Sequence, residues 1–171
     1  LATEALDAHE ELVTLPCYDW QHALVMPAGH PLAQLERIEL EDLALQPLVS
    51  YHPSFSGRTR VDQAFAARKL KPNIVLEAID ADVIKTYVRL GLGVGIVAEL
   101  AAKDDAAGGE LVSRPLGHLF GRNVTRIAFK RGAYLRNFVF AFAEMLSDRL
   151  GRAVITQALS GQTPDAQDYQ L

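Results

Sequence analysis

Residues 73–98 read NIVLEAIDADVIKTYVRLGLGVGIVA, and the pattern changes twice within them. Asn73–Ala78 alternates and holds β-branched residues, as a strand does. Asp80 is a good N-cap, and Asp82 adds negative charge to the first turn, where the helix dipole favours it. Val83, Ile84, Tyr87 and Val88 then recur at helical spacing, and Gly91 suits the left-handed position that ends a helix. Val94–Ala98 is a second strand. Strand, helix and strand in succession predict an α/β sandwich with parallel strands.

The same alternation continues outward. Leu12–Pro16 is a short apolar run closed by proline, and Gln21–Met26 is a second one, stopped by the Pro27–Pro31 cluster. Glu39–Leu45 reads as a short helix and Pro47–Tyr51 (PLVSY) as a buried strand. Ser54-Phe55-Ser56-Gly57 opens a helix whose Val61, Ala64 and Phe65 share one face. Lys103–Glu110 is a polar loop, while Leu111–Pro115 and Val124–Lys130 are strands. Tyr134–Leu146 is a helix with two adjacent apolar stripes, Tyr134/Phe138/Ala141/Met145 and Leu135/Val139/Phe142/Leu146, and Phe140 lies off both. A further helix follows Gly151. Crossings near Pro16–Trp20 and Pro115–Gly121 predict two lobes with a cleft between them. Residues 1–16 and 120–160 form the first, partial lobe, 17–119 the second, and 161–171 a polar tail.

The chain has 171 residues, 49% hydrophobic and 22% charged, with a net charge of −4. This is ordinary globular composition, and it sets disorder and a basic nucleic-acid-binding surface aside. No apolar run approaches the roughly 20 residues of a membrane span. Cys17, the single cysteine, has no partner for a disulfide, which points to a reducing compartment and a cytoplasmic location. The chain starts at Leu1 without a signal-type segment and opens as if in mid-domain, so it reads as a piece of something longer.

Few segments carry chemistry. Gly91-Leu92-Gly93-Val94-Gly95 has the wrong spacing for a dinucleotide loop and closes a helix instead of opening one, so it reads as a helix end and a turn. Ser54-Phe55-Ser56-Gly57-Arg58 places hydroxyls and a glycine at a helix start. There, free N–H groups and the positive dipole end suit an anion, and plain N-capping is the alternative. Arg58 is placed to add charge to such a site, although Arg58, Arg60, Arg68 and Lys69 together look like a solvated face. Thr3, in Ala2-Thr3-Glu4-Ala5, stands at the end of a truncated strand, where an open α/β sheet usually binds its ligand, and a surface-loop threonine is the alternative. Tyr18 and Trp20 suit either the wall of a small-molecule cleft or hinge packing. The five histidines show no metal-ligand spacing, and no nucleophile–base pair supports an enzyme.

The stretches ATEAL (Ala2–Leu6), LPCYDW (Leu15–Trp20), PLVSY with FSGR (Phe55–Arg58) and DADVIKTYVRLGLGVGI (Asp80–Ile96) closely resemble the effector-binding domain of CysB-like LysR-type transcriptional regulators. The resemblance implies two α/β lobes of periplasmic-binding-protein type joined by two crossing strands, with lobe one truncated at its N-terminal side. It implies a sensor for sulfur assimilation and cysteine biosynthesis, with N-acetylserine, O-acetylserine, sulfate or thiosulfate as effector in the cleft. The family's pocket hydroxyls fall on Thr3 and Ser56, where serine replaces the commoner threonine and Gly57 follows. The aromatic positions near the pocket fall on Tyr18 and Trp20. The resemblance also implies a homo-oligomer that reads DNA through an N-terminal winged helix-turn-helix outside this chain, with no cofactor, metal, membrane contact or catalysis. A solute-binding transport protein of the same architecture is the alternative.

Overall fold

Two bands of apolar sequence fold around a sheet in the computed structural model, which describes residues 9–102 and 109–161. The strands are β1 (Leu12–Pro27), β2 (Pro47–Tyr51), β3 (Asn73–Ala78), β4 (Val94–Ala98), β5 (Leu111–Pro115) and β6 (Arg122–Lys130). The helices are α1 (Leu40–Ala44), α2 (Ser56–Ala67), α3 (Ala81–Arg89), α4 (Glu99–Ala102), α5 (Gly117–Phe120), α6 (Asn137–Leu146) and α7 (Arg152–Leu159). The strand order is β3-β2-β4-β1-β5, and β6 pairs with β1. β2 runs parallel to β3 and β4, but β1 is antiparallel to β4 and β5. The sheet is therefore mixed, not wholly parallel as the pattern predicts. The helix-linked strands β2, β3 and β4 keep one direction, and β1 enters against them.

Contacts divide the chain into two compact units, one of Trp20–Arg122 and the other of the residues up to Asp19 and from Asn123 onward. In the Trp20–Arg122 unit both sheet faces are covered. Leu24, Met26, Leu48 and Ile96 pack with Val61 and Phe65 of α2, whereas Ala23, Val25, Val49 and Val97 pack with Ile84 and Val88 of α3. Coverage on both sides is why these strands read as unbroken apolar runs. In the other unit Val13, Leu15, Cys17, Ile127 and Phe129 form a core with Phe140, Ala143, Leu150 and Ile155.

Three expectations change. The runs Leu12–Pro16 and Gln21–Met26 are one strand, β1. Proline's fixed φ is compatible with extended backbone, and it gives up only one N–H donor, so Pro16 does not end the strand. α6 begins at Asn137, and its buried residues are Phe140 and Ala143, so Phe140 belongs to the core. Tyr134, Phe138, Phe142 and Met145 are exposed. A helix apolar on nearly every side cannot declare its inner face by period alone. In α3, Ile84 and Val88 are buried as predicted, but Val83 and Tyr87 are exposed. The helix ends do follow the sequence: Asp80 Oδ1 accepts from the Asp82 N–H at 2.6 Å, and Gly91 has φ +79°.

Candidate functional site

β2 carries the chain through buried Leu48, Val49 and Ser50, and α2 begins after four intervening residues. Phe55 holds the N-cap position with extended backbone and supplies no capping hydrogen bond. Ser56 and Gly57 are the first two helical residues, so their N–H groups have no intrahelical acceptor. The Arg58 N–H donates to the Phe55 carbonyl at 3.0 Å. Ser54 does not cap the helix either: its hydroxyl lies 2.9 Å from His52 Nδ1, to which its N–H also donates at 3.2 Å. The result is an uncapped helix start, with half-buried Ser56 at the positive end of the dipole.

Gly57 lets this turn lie against two rings of β1. A Cβ here would stand 3.1 Å from His22 Nε2 and 3.2 Å from the Trp20 ring, tighter than most side-chain packing, so a ring would have to give way. The Trp20 and His22 rings meet edge-on with centroids 5.1 Å apart, and His22 meets Phe120 at 5.5 Å. His22 is 1% exposed, and neither ring nitrogen has a well-formed hydrogen bond among the described residues. Burial lowers its pKa to about 4; a hydrogen bond of poor geometry with the Gly57 backbone opposes this, and the Arg60 charge adds to it. The imidazole is therefore neutral at pH 7. Ser50 is also buried with an unpartnered hydroxyl.

Arg58 is not part of a solvated face and lends no charge to the turn. It is buried, with Nε 2.8 Å from Asp62 Oδ1 and Nη1 3.0 Å from Glu77 Oε1. Nη1 also donates to the Tyr51 carbonyl at 2.8 Å. These partners stitch the helix start to β2 and β3. Glu77 is 19 residues away, so no local pattern announces the pairing. Burial alone would lower the Arg58 pKa, but the bonds to Asp62 and Glu77 prevail and raise it.

Of the predicted site residues, Ser56, Gly57 and Trp20 come together at this turn. Tyr18 is on the part of β1 that belongs to the other unit and is exposed. Thr3 lies outside the described residues. Cys17 is buried, and burial raises its thiol pKa, which disfavours the reactive thiolate. Spacing arguments missed His22 and Ser50. The available signal for His22 was parity, because it stands in step with the buried Leu24 and Met26.

The chain belongs to the LysR substrate binding domain family, whose model matches residues 1–151. Its mixed α/β fold is the periplasmic-binding-protein-like fold of LysR effector-binding domains. Over all 171 residues it is 54% identical to the HTH-type transcriptional regulator CysB of Burkholderia cenocepacia, covering 53% of that protein. It is 44% identical over 159 residues to the regulator SsuR of the same organism, a match that covers 93% of this chain and 51% of that one. Among solved structures it resembles the cofactor-binding domain of the Cbl transcriptional regulator, with TM-score 0.80 and 40% identity over 92% of this chain and 69% of that one. The chain spans about half the length of the curated relatives it matches.

Proposed function

We propose that this chain is the effector-sensing part of a LysR-type regulator of sulfur assimilation and cysteine biosynthesis. Its effector is an acetylserine (N- or O-acetylated) or a sulfate-like anion such as sulfate or thiosulfate. The observation that carries this reading is the uncapped first turn of α2, where Ser56 and Gly57 offer a hydroxyl and orphan N–H groups beside Trp20. Because Arg58 is committed to Asp62 and Glu77, the anion is held by neutral donors and the helix dipole. The family resemblance makes Thr3 and Tyr18 the further candidates for contact with the effector.

The working protein is a homo-oligomer in the cytoplasm, without cofactor, metal or catalytic role. It contacts DNA through a winged helix-turn-helix outside these residues, and effector binding changes how subunits present that element. The names of the relatives, HTH-type transcriptional regulators, favour this over a solute-binding transport protein. No helix among the described residues is long and apolar enough to cross a membrane.

Calorimetry on the full chain with sulfate, thiosulfate and the two acetylserines tests the site. A hydrogen bond to a charged group is worth roughly 1.5–3 kcal/mol, so Ser56→Ala is expected to weaken binding by about tenfold or more. Unchanged affinity in that variant refutes the assignment.

A further inference from the structure

We infer that His22 makes the α2 N-terminal site selective for a fully ionised oxyanion, by taking up a proton from solvent as the anion binds. The inference rests on the anion reading of that turn, and three observations point to it.

The first is position. His22 Nε2 faces the second residue of a twelve-residue helix, near enough that a Cβ there would stand 3.1 Å away. Second, the ring is buried to 1% exposure, yet both nitrogens lack a well-formed partner. A satisfied core histidine would have at least one of them bonded to a neighbour. Third, Ser50 of β2 is another buried residue whose hydroxyl has no partner among the described residues.

The charged groups around the ring leave the proton's compensation to a ligand. Arg60 of α2 acts on His22 and disfavours its charged form. Arg58 is balanced by Asp62 and Glu77. On β1 the neighbouring Gln21 donates to Glu99. On α5, His118 lies with Nε2 2.8 Å from the Ile38 carbonyl. Among the described residues no carboxylate is bonded to the ring. An anion held by the first-turn N–H groups supplies the missing negative charge, and in a low-dielectric setting each ion lowers the cost of burying the other. Proton and anion therefore bind together, and each favours the other to the same extent. A ligand bearing less negative charge gains less from this coupling.

Inorganic sulfate is the probe, because it stays doubly ionised throughout the working range. Calorimetry of the full chain in two buffers of different ionisation enthalpy measures proton uptake directly and needs no variant. The expected result is a buffer-dependent heat, with affinity that rises as pH falls from 8 to 5.5, by at most about tenfold per pH unit for one proton. His22→Gln keeps a hydrogen-bonding side chain but cannot take the proton, so its sulfate affinity should be flat over that range and its heat independent of buffer. Ser56→Ala should bind weakly at every pH and still take up the proton. If the parent chain binds sulfate without proton uptake, or if His22→Gln takes up as much, this inference falls and the anion site stands. If the parent chain does not bind sulfate at any pH, the anion site falls and the inference with it.

Discussion

Lowering the pH from 7 to 4 in a buffer free of sulfate and phosphate is expected to remove roughly 3 kcal/mol of folding stability through His22 alone. The folded ring has a pKa of about 4, against 6.5 for an ordinary histidine. Above 6.5 neither state holds the proton. Between 6.5 and 4 the unfolded chain binds it and the folded chain does not, so stability falls as pH falls through that window; below 4 both hold it and the loss levels off. At about 1.4 kcal/mol per pH unit, the window yields roughly 3 kcal/mol, of which about 2 should already be lost at pH 5. Urea unfolding at pH 7, 6, 5 and 4 measures it, with His22→Gln as the comparison. The parent should lose about 2 kcal/mol more than His22→Gln between pH 7 and pH 5, and sulfate should shrink that difference. Equal losses in the two proteins would refute the reasoning.

The other predictions concern packing and reactivity. Phe65 is fully buried against the α2-facing side of the sheet, so Phe65→Ala should cost about 3–5 kcal/mol in urea unfolding. Gly57→Ala forces a methyl into the space beside Trp20 and His22 and should cost about 1–3 kcal/mol, with a several-fold loss of sulfate affinity by calorimetry. Buried Cys17 should react with a thiol reagent only slowly in the native chain, and at the rate of a free thiol once urea unfolds it.

The elements bounded by turn-forming residues were legible from sequence. β2, β3, β4 and β5 fall where short apolar or alternating runs are bounded on at least one side by proline, glycine or a capping aspartate, because each of those residues changes the backbone locally. What required the fold was anything decided by distant partners. Pro16 looks like a terminator until β6 pairs with β1. The face of α6 is hidden in a helix with apolar residues on almost every side, so Phe140 is seen as core only once β1, β6 and α7 pack against it. The site divides in the same way. Ser56, Gly57 and Trp20 were visible as residue types suited to a helix start and an aromatic wall. The neutralisation of Arg58 by Glu77, and the unbonded ring of His22, arise from side chains far apart in sequence.

β1 carries two burial patterns along a single strand. Its first half alternates, with Val13, Leu15 and Cys17 inward, whereas Ala23–Met26 are buried on both faces. A one-residue slip would keep apolar side chains on both faces of the second half, although Leu24 and its neighbours Ala23 and Val25 would then be mismatched in volume to the two cores. The same slip would turn all three inward side chains of the first half out to water. The alternating segment thus acts as a register key for the uniform one, holding the strand at the single setting that puts an imidazole under Gly57.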